Sequence, residues 1–326
     1  MTNNLLTPIG ITIGDPSGIG PEIVVSALNS PKINKNIIPI IYGNHNFLLK
    51  ACSILNIDRK IIKSKNTKDA IKNFNPKFIN CVNIGKVSHN RGELSYQFIY
   101  NATQAAIRRD ISAIVTAPIN KKILNSAGYN YPGHTELLAY LTKTPEVSLM
   151  LVTPKLNVIH VTAHMGLIDA INLINPELVY RTCIRGIKIL KKLGLPNPKI
   201  GICALNPHAG EDGLFGYEEE KNKISPAVKK LQNEGYNVKG PLPADALFYM
   251  ASIKDYDLVV AMYHDQGHCP VKVMGINNGI NITAGIPIIR TSVDHGTGED
   301  IAGKGIASDE SLLRAINLAY KMSINQ

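Results

Sequence analysis

The chain has 326 residues, 44% hydrophobic and 18% charged, enough to bury a large core in one large or two smaller α/β units. No run of about 18 apolar residues occurs, and the opening MTNNLLTPIGITIGD lacks the basic and apolar segments of a signal peptide, so neither a membrane span nor a leader is expected. The formal net charge of +10 is dispersed, with no aromatic-interleaved basic run, which argues against a nucleic-acid partner and suits an anionic small molecule.

Residues 9–13 read as a first strand, followed by the glycine turn GDPSGIGPE at 14–22. Pro21 and Glu22 suit the first turn of a helix. The turn is either an anion cradle or a tight structural turn, because it lacks both the P-loop ending and the dinucleotide spacing. Residues 37–42 read as a strand, 47–55 as a helix, and the Lys- and Asn-rich 58–90 as surface elements. Leu94, Phe98, Ala102 and Ala105 or Ala106 mark a helix over 92–109. A buried strand at 113–115 then runs into TAPINKK. This alternation, without hairpin signals, predicts parallel strands joined by crossovers. In NYPGHTELLAYL, Pro132 and Gly133 break the chain, and Thr135 can cap a helix through Leu137, Leu138 and Leu141. His134 and Thr135 then lie at an anion-friendly helix start, or serve only as its cap.

Three further strands, at 155–162, 199–205 and 258–262, each end near a histidine: His164, His208 and His264. Ligands bind beyond the carboxyl ends of strands in open α/β sheets, so the recurrence points to an open divalent-metal site. Singly, each imidazole could equally bond loop backbone; the set favours the metal. His160 lies four residues before His164, but on a strand that spacing is roughly 13 Å, so it reads as a core or supporting residue. His268 repeats the spacing after His264, yet Gly267 and Pro270 are expected to forbid a regular helix there, leaving His268 as a substrate contact. His45 and His89 read as surface residues. Lys272 and Arg290 flank a glycine-rich stretch and suit a phosphate or carboxylate, with Asn281 as a neutral donor. In DHGTGEDIAGKG, at 294–305, glycines let backbone approach a flat ligand and an acidic group can hold a ribose hydroxyl. The five cysteines are scattered, odd in number and without zinc-type pairing, as expected of reduced thiols in a cytoplasm.

Nearly end to end, through GDPSGIGPE, TAPINK, YPGHTE, HVTAH, LNPHAGEDGLFGYEE, GPLPAD, YHDQG, NITAGIPIIRTSVDHGT and IAGKG, the chain resembles the pyridoxal-phosphate biosynthesis dehydrogenases that act on 4-hydroxythreonine 4-phosphate. Its last loop is similar to the cofactor loop of isocitrate and isopropylmalate dehydrogenases. The resemblance implies a two-lobed α/β/α fold with a mostly parallel sheet and a site in the interlobe cleft. Residues 1–133 plus 286–326 would form the cofactor-side lobe, and 134–285 the metal, substrate and dimerisation lobe. The implied reaction is oxidation of the carbon-3 hydroxyl with NAD, or NADP as the alternative, followed by loss of carbon dioxide, in pyridoxal 5'-phosphate biosynthesis. Also implied are one divalent ion per site (Zn, Mg, Mn or Co) and a homodimer whose sites draw on both subunits.

Residue by residue, the family's metal ligands fall on His164, His208 and His264, and its substrate contacts on His134, Thr135, Lys272, Asn281 and Arg290. Cofactor contacts fall on Asp294, His295, Gly296, Thr297 and Asp300, and Asp245 or Lys272 would relay the proton. Two positions depart from the pattern. His268, followed by CPVK, stands where the biosynthetic enzymes commonly carry a leucine, and with NYPGHTELLA, GLFG and NITAG it resembles the sister group acting on D-threonate or D-erythronate 4-phosphate. Gly298 replaces the usual alanine after HGT. The rival from another class is a metal-dependent hydrolase, since three histidines with an open position also activate water.

Overall fold

Short runs rich in Ile, Val and Ala supply the strands of the computed structural model, which describes residues 6–84, 90–274 and 279–325. In chain order they are β1 (Thr7–Thr12), β2 (Ile37–Gly43), β3 (Ile61–Ser64), β4 (Ile79–Asn83) and β5 (Ala113–Thr116). Then come β6 (Ser148–Val152), β7 (Asn157–His160), β8 (Ile200–Cys203), β9 (Val238–Leu242), β10 (Leu258–Ala261), β11 (Ile280–Ala284) and β12 (Ile289–Val293). Two units result, one from Met1–Val147 with Ile286–Ile324 and the other from Ser148–Gly285.

The first unit orders its strands β3-β4-β2-β1-β5-β12, every pair parallel. Strand β5 and the inner part of β1 are buried on both faces, which is why neither carries a charge or alternates apolar with polar residues. Residues 58–90, expected to hold only surface elements, instead provide β3 and β4, the outer strands of this sheet. The division of the chain also differs from expectation. It falls at Val147/Ser148 and not at 133/134, because helix His134–Leu141 packs on helix Arg91–Ile107 of the first unit with Leu137 and Leu138 fully buried. Gly133, not Thr135, is the cap of that helix.

In the second unit the order is β11-β6-β7-β10-β8-β9. Strands β7, β10, β8 and β9 are mutually parallel, and β6 runs antiparallel to both β7 and β11, so the sheet is mostly parallel as the resemblance implies, with one hairpin, β6 to β7, that left no signal in the sequence. Its turn is closed by the Thr153 amide donating to the Leu156 carbonyl at 2.9 Å. Strand β10 lies between β7 and β8, with Ala261 opposite His160 and Val260 opposite Ile202. The segments carrying His164, His264 and His208 therefore leave the sheet at one edge.

Among the described residues no helix is long and apolar enough to cross a membrane. Cys52, Cys81, Cys183 and Cys203 are buried free thiols, and Cys269 is exposed. His45, expected at the surface, is partly buried, its amide donating to Asn83 Oδ1 at 2.9 Å. His89 lies outside the described residues.

Candidate active site

The turn after β10 becomes a regular helix, His264–Val273, despite Gly267 and Pro270. This corrects the expectation that those residues forbid one. The helix start is clasped by Gln266, whose Oε1 accepts from the Met262 amide (2.7 Å) and whose Nε2 donates to the Ala204 carbonyl (2.8 Å). Side chains four apart on a helix share a face, so the His264 and His268 rings stack, centroids 3.8 Å apart and 13° between planes. His164, just past β7, brings its ring centroid within 5.8 Å of His264. An open cavity of about 330 Å³ is lined by both imidazoles together with Met165, Leu167, Tyr263 and Asp265. The Nδ1 of His264 faces Asp265 Oδ1 at 2.7 Å, the kind of carboxylate partner that orients a metal-binding imidazole.

His160 sits beneath this pair, 1% exposed, with Nδ1 3.2 Å from the Leu149 carbonyl and Nε2 3.0 Å from His268 Nδ1. Burial, reinforced by the neighbouring His268, pushes its pKa down to about 3. A Cβ at Gly267 would overlap the His160 ring, so the glycine is what lets the helix approach β7 this closely.

His208 is not brought to the other two. It lies in a turn, Pro207–Gly213, in which His208 to Asp212 all have positive φ, a left-handed stretch costly for non-glycine residues. Glu220 holds this loop, accepting from the Leu205 and Asn206 amides at 2.9 and 2.7 Å. The His208 side chain, 67% exposed, turns its Nδ1 to Glu211 at 3.2 Å. Two imidazoles opening on one cavity fit a divalent cation of the zinc or cobalt kind. Among the described residues of one chain, however, no group of three or more His, Cys, Asp or Glu side chains is set to hold one. Of the remaining second-unit residues, Lys272 is in the last turn of helix His264–Val273, Asn281 is on β11, and Asp245 is exposed in the first turn of helix Ala244–Ser252.

A cationic cluster belongs to the first unit. Arg290, on β12 and 4% exposed, donates from Nη2 and Nε to Thr116 Oγ1 at 2.7 and 3.2 Å. Burial pushes its pKa down to about 9 against the opposing pull of Glu136, so it is still charged at neutral pH. Burial, then Arg290 and Lys121, hold the His134 pKa well below the usual range. His134 Nε2 is buried without a hydrogen-bond partner among the described residues, a rare condition for a polar atom. Thr135 follows in the same first helical turn. A neutral imidazole, a buried guanidinium and a helix start together suit a phosphate group.

The proposed cofactor segment packs on the glycine turn at 14–22. The Ile19 amide donates to the Thr297 carbonyl at 2.8 Å, and His295 Nδ1 lies 3.0 Å from the Gly296 carbonyl. Asp300 is exposed and Asp294 partly buried. Residues not singled out by sequence reasoning fix this region. Asp15, 1% exposed, is gripped by Arg91 through two 3.0 Å bonds, and Arg91 and Asn120 both reach Glu299. Glu22, 4% exposed, accepts from the amides of Gly303 (2.6 Å) and Gly305 (2.9 Å), so its carboxylate anchors a loop as well as facing a helix start. Glu22→Gln leaves one of those amides facing an NH₂ group. The expected result is a loss of about 1–3 kcal/mol in urea unfolding, with faster amide exchange at Gly303 and Gly305. Unchanged exchange at both would show that the carboxylate does not hold the loop.

Each of the two α/β units carries its own polar cluster: His164 and His264 just past strand ends in the second, and Arg290 on β12 with His134 at a helix start in the first. Residues 35–319 match the family of the pyridoxal phosphate biosynthetic protein PdxA, and the chain belongs to that family. It is 50% identical over 330 residues to the D-threonate 4-phosphate dehydrogenase of Cupriavidus necator, covering 98% of each chain. To the D-threonate 4-phosphate dehydrogenase of Salmonella typhimurium it is 41% identical over 325 residues, covering 97% of this chain and 98% of that one. The crystal structure of a 4-hydroxythreonine-4-phosphate dehydrogenase from Burkholderia phymatum matches with a TM-score of 0.86 and 48% identity, over 97% of this chain and 98% of that one. The protein is an oxidoreductase.

Proposed function

We propose that the chain oxidises the carbon-3 hydroxyl of D-threonate 4-phosphate, or of its D-erythronate epimer, with NAD (NADP as the alternative) and decarboxylates the product. The observation that carries this reading is the near end-to-end likeness to dehydrogenases bearing the first of those names. The second reading, 4-hydroxythreonine 4-phosphate in pyridoxal 5'-phosphate biosynthesis, is supported by the family description and the name of the Burkholderia phymatum neighbour. Its substrate carries an amine where D-threonate carries the carbon-2 hydroxyl.

In the reaction, NAD would supply the acceptor for the carbon-3 hydride, and Asp245 or Lys272 takes the hydroxyl proton, leaving a ketone β to the carboxylate. The bond between carbons 1 and 2 then breaks, its electron pair moves toward the ketone oxygen, carbon dioxide departs, and carbon 2 takes a proton. His164 and His264, with His208 of a second copy of the chain, would hold a divalent cation. When bound, that ion polarises the carbon-3 oxygen and stabilises the negative charge developing on it. His134, Thr135, Lys272 and Arg290 bind the phosphate, a handle remote from the reacting carbon, and Asn281 adds a donor. Asp294, His295, Gly296, Thr297 and Asp300 contact the cofactor. The protein works as a homodimer, without nucleic acid or membrane as partner.

NADH formation from the two phosphorylated acids, with divalent ion supplied, tests the reading. The hydroxyl-bearing acid is expected to exceed the amine-bearing one by about tenfold or more in kcat/KM. The reverse order assigns the chain to the vitamin pathway, and phosphate release without NADH assigns it to the hydrolases.

A further inference from the structure

We propose that Glu299 is a latch: held by Arg91 and Asn120, it presets residues 297–302 in the form that receives the dinucleotide. Arg91, Asn120 and Glu299 are then positioning residues for cofactor affinity. The inference rests on the reading of 294–300 as the cofactor segment and adds residues to which that reading gives no part.

Strand order brings the parts together. Strands β1, β5 and β12 are neighbours and parallel, so the chain leaves all three at one edge, with Asp15 after the first, Asn120 after the second and Glu299 after the third. Asp15, 1% exposed, is fixed twice over: its amide donates to the Pro118 carbonyl at 2.8 Å, and its Oδ1 accepts from the Ser17 amide at 2.9 Å. It takes Nε and Nη2 of Arg91 at 3.0 Å each, a fork that aims the guanidinium. The same Nη2 reaches Glu299 Oε1 at 3.4 Å. Asn120 is aimed as well. Its Oδ1 accepts from the Ile123 amide at the start of helix Lys121–Ser126, which turns its Nδ2 to Glu299 Oε1 at 2.7 Å. The Asn120 bond first, and Arg91 after it, hold the Glu299 carboxyl below its usual range, so it is charged at neutral pH.

The segment is tied on either side of this contact. Thr297 accepts from the Ile19 amide, and Gly303 and Gly305 donate to Glu22, which is 4% exposed. Between them Gly298 takes a φ of +53°, a left-handed conformation that glycine adopts without strain. Its carbonyl accepts from the Ile301 and Ala302 amides at 3.1 and 3.0 Å. That turn is what Glu299 fastens. With the Glu299 side chain 43% exposed, the latch adds little to the stability of the fold. Its effect falls on binding, because a segment already set in one form does not have to be ordered when the ligand arrives.

Two measurements on the whole chain test this. Amide exchange without added cofactor reads the latch: Glu299→Ala is expected to speed exchange at Ile301 and Ala302 about tenfold and to leave Gly303 and Gly305, held by Glu22, unchanged. Calorimetry with NAD reads its purpose. Kd is expected to rise about tenfold in Glu299→Ala, and likewise in Asn120→Asp, which keeps the helix cap and loses the donor. Melting temperatures should stay within about a degree of the wild type. Glu299→Gln, which keeps an acceptor for Asn120, is expected to recover part of the affinity. Adding Asn120→Asp to Glu299→Ala is expected to cost nothing further, since both break the same latch. Additive losses would mean that Glu299 acts on the ligand directly, and they overturn the latch, as does unchanged exchange at Ile301 and Ala302. Faster exchange with unchanged NAD affinity overturns its part in cofactor binding. If the wild type binds neither NAD nor NADP, the reading of the cofactor segment has itself failed, and the role in affinity falls with it.

Discussion

Replacing Arg290 with methionine is expected to lower kcat/KM for the phosphorylated acid about a hundredfold, some 2.7 kcal/mol at 1.36 per tenfold, while leaving the melting temperature unchanged or raised. The two effects have opposite causes. The guanidinium is buried on β12 with its pKa lowered, so below about pH 9 its charge costs the folded chain free energy. Exchanging a buried cation for an apolar side chain of similar length removes that cost. A phosphate dianion would offset the same cost on binding, and the variant has no charge with which to attract it. The unphosphorylated acid should therefore be handled equally poorly by both proteins. Kinetics with the two acids and a thermal melt make the check. An equal fall for both acids, or a large drop in melting temperature, would mean that Arg290 is a structural cation held by Thr116.

A second large effect is expected from pairs of inactive variants. His208→Ala and His264→Ala should each reduce turnover by a thousandfold or so, since each removes a ligand of the proposed ion. Mixed in equal amounts after dissociation and reassociation, they should recover about a quarter of wild-type activity, because half the dimers are mixed and one of the two sites in each has both histidines. The reason to expect sharing lies in the loop: His208 is exposed on a left-handed turn braced by Glu220 and faces its own Glu211, not His164 or His264. Recovery beyond the sum of the separate variants supports the shared site. Its absence, with mixed dimers demonstrated by mass, assigns all three ligands to one chain.

Much of this was legible in residue order. Short uncharged runs rich in Ile and Val at β1, β5 and β10 announced buried parallel strands, and three histidines following three strand ends marked one edge. Other parts were hidden for physical reasons. Strands β3 and β4 are only four and five residues long and sit among Lys and Asn, so no period emerges. Pro270 argued against a helix that tertiary contacts nevertheless hold, with Gly267 close against His160 and Gln266 bridging to Ala204. The relation of Arg290 to Thr116, 174 positions apart, and of His160 to His268, 108 apart, is a product of strand order. Local pattern does not report such pairs. Motif resemblance named candidate site residues, but not Thr116, Arg91 or Asp15, whose part is to hold others in place.

The seam between the two ends of the chain bears on how the protein is made. Ser26 bonds Asp309, the Asn34 amide bonds Asn317, Asn36 bonds Tyr320, and Glu22 clasps Gly303 and Gly305. Strand β5 meets β12 only after the whole of Ser148–Gly285 has been synthesised. Domains commonly complete in the order in which they leave the ribosome, and here that order is inverted. The second unit is continuous and has all its strands once residue 285 emerges. The first must wait, with one edge of β5 unpaired, until the final helix is released; the nascent chain thus carries a finished insert within an unfinished host.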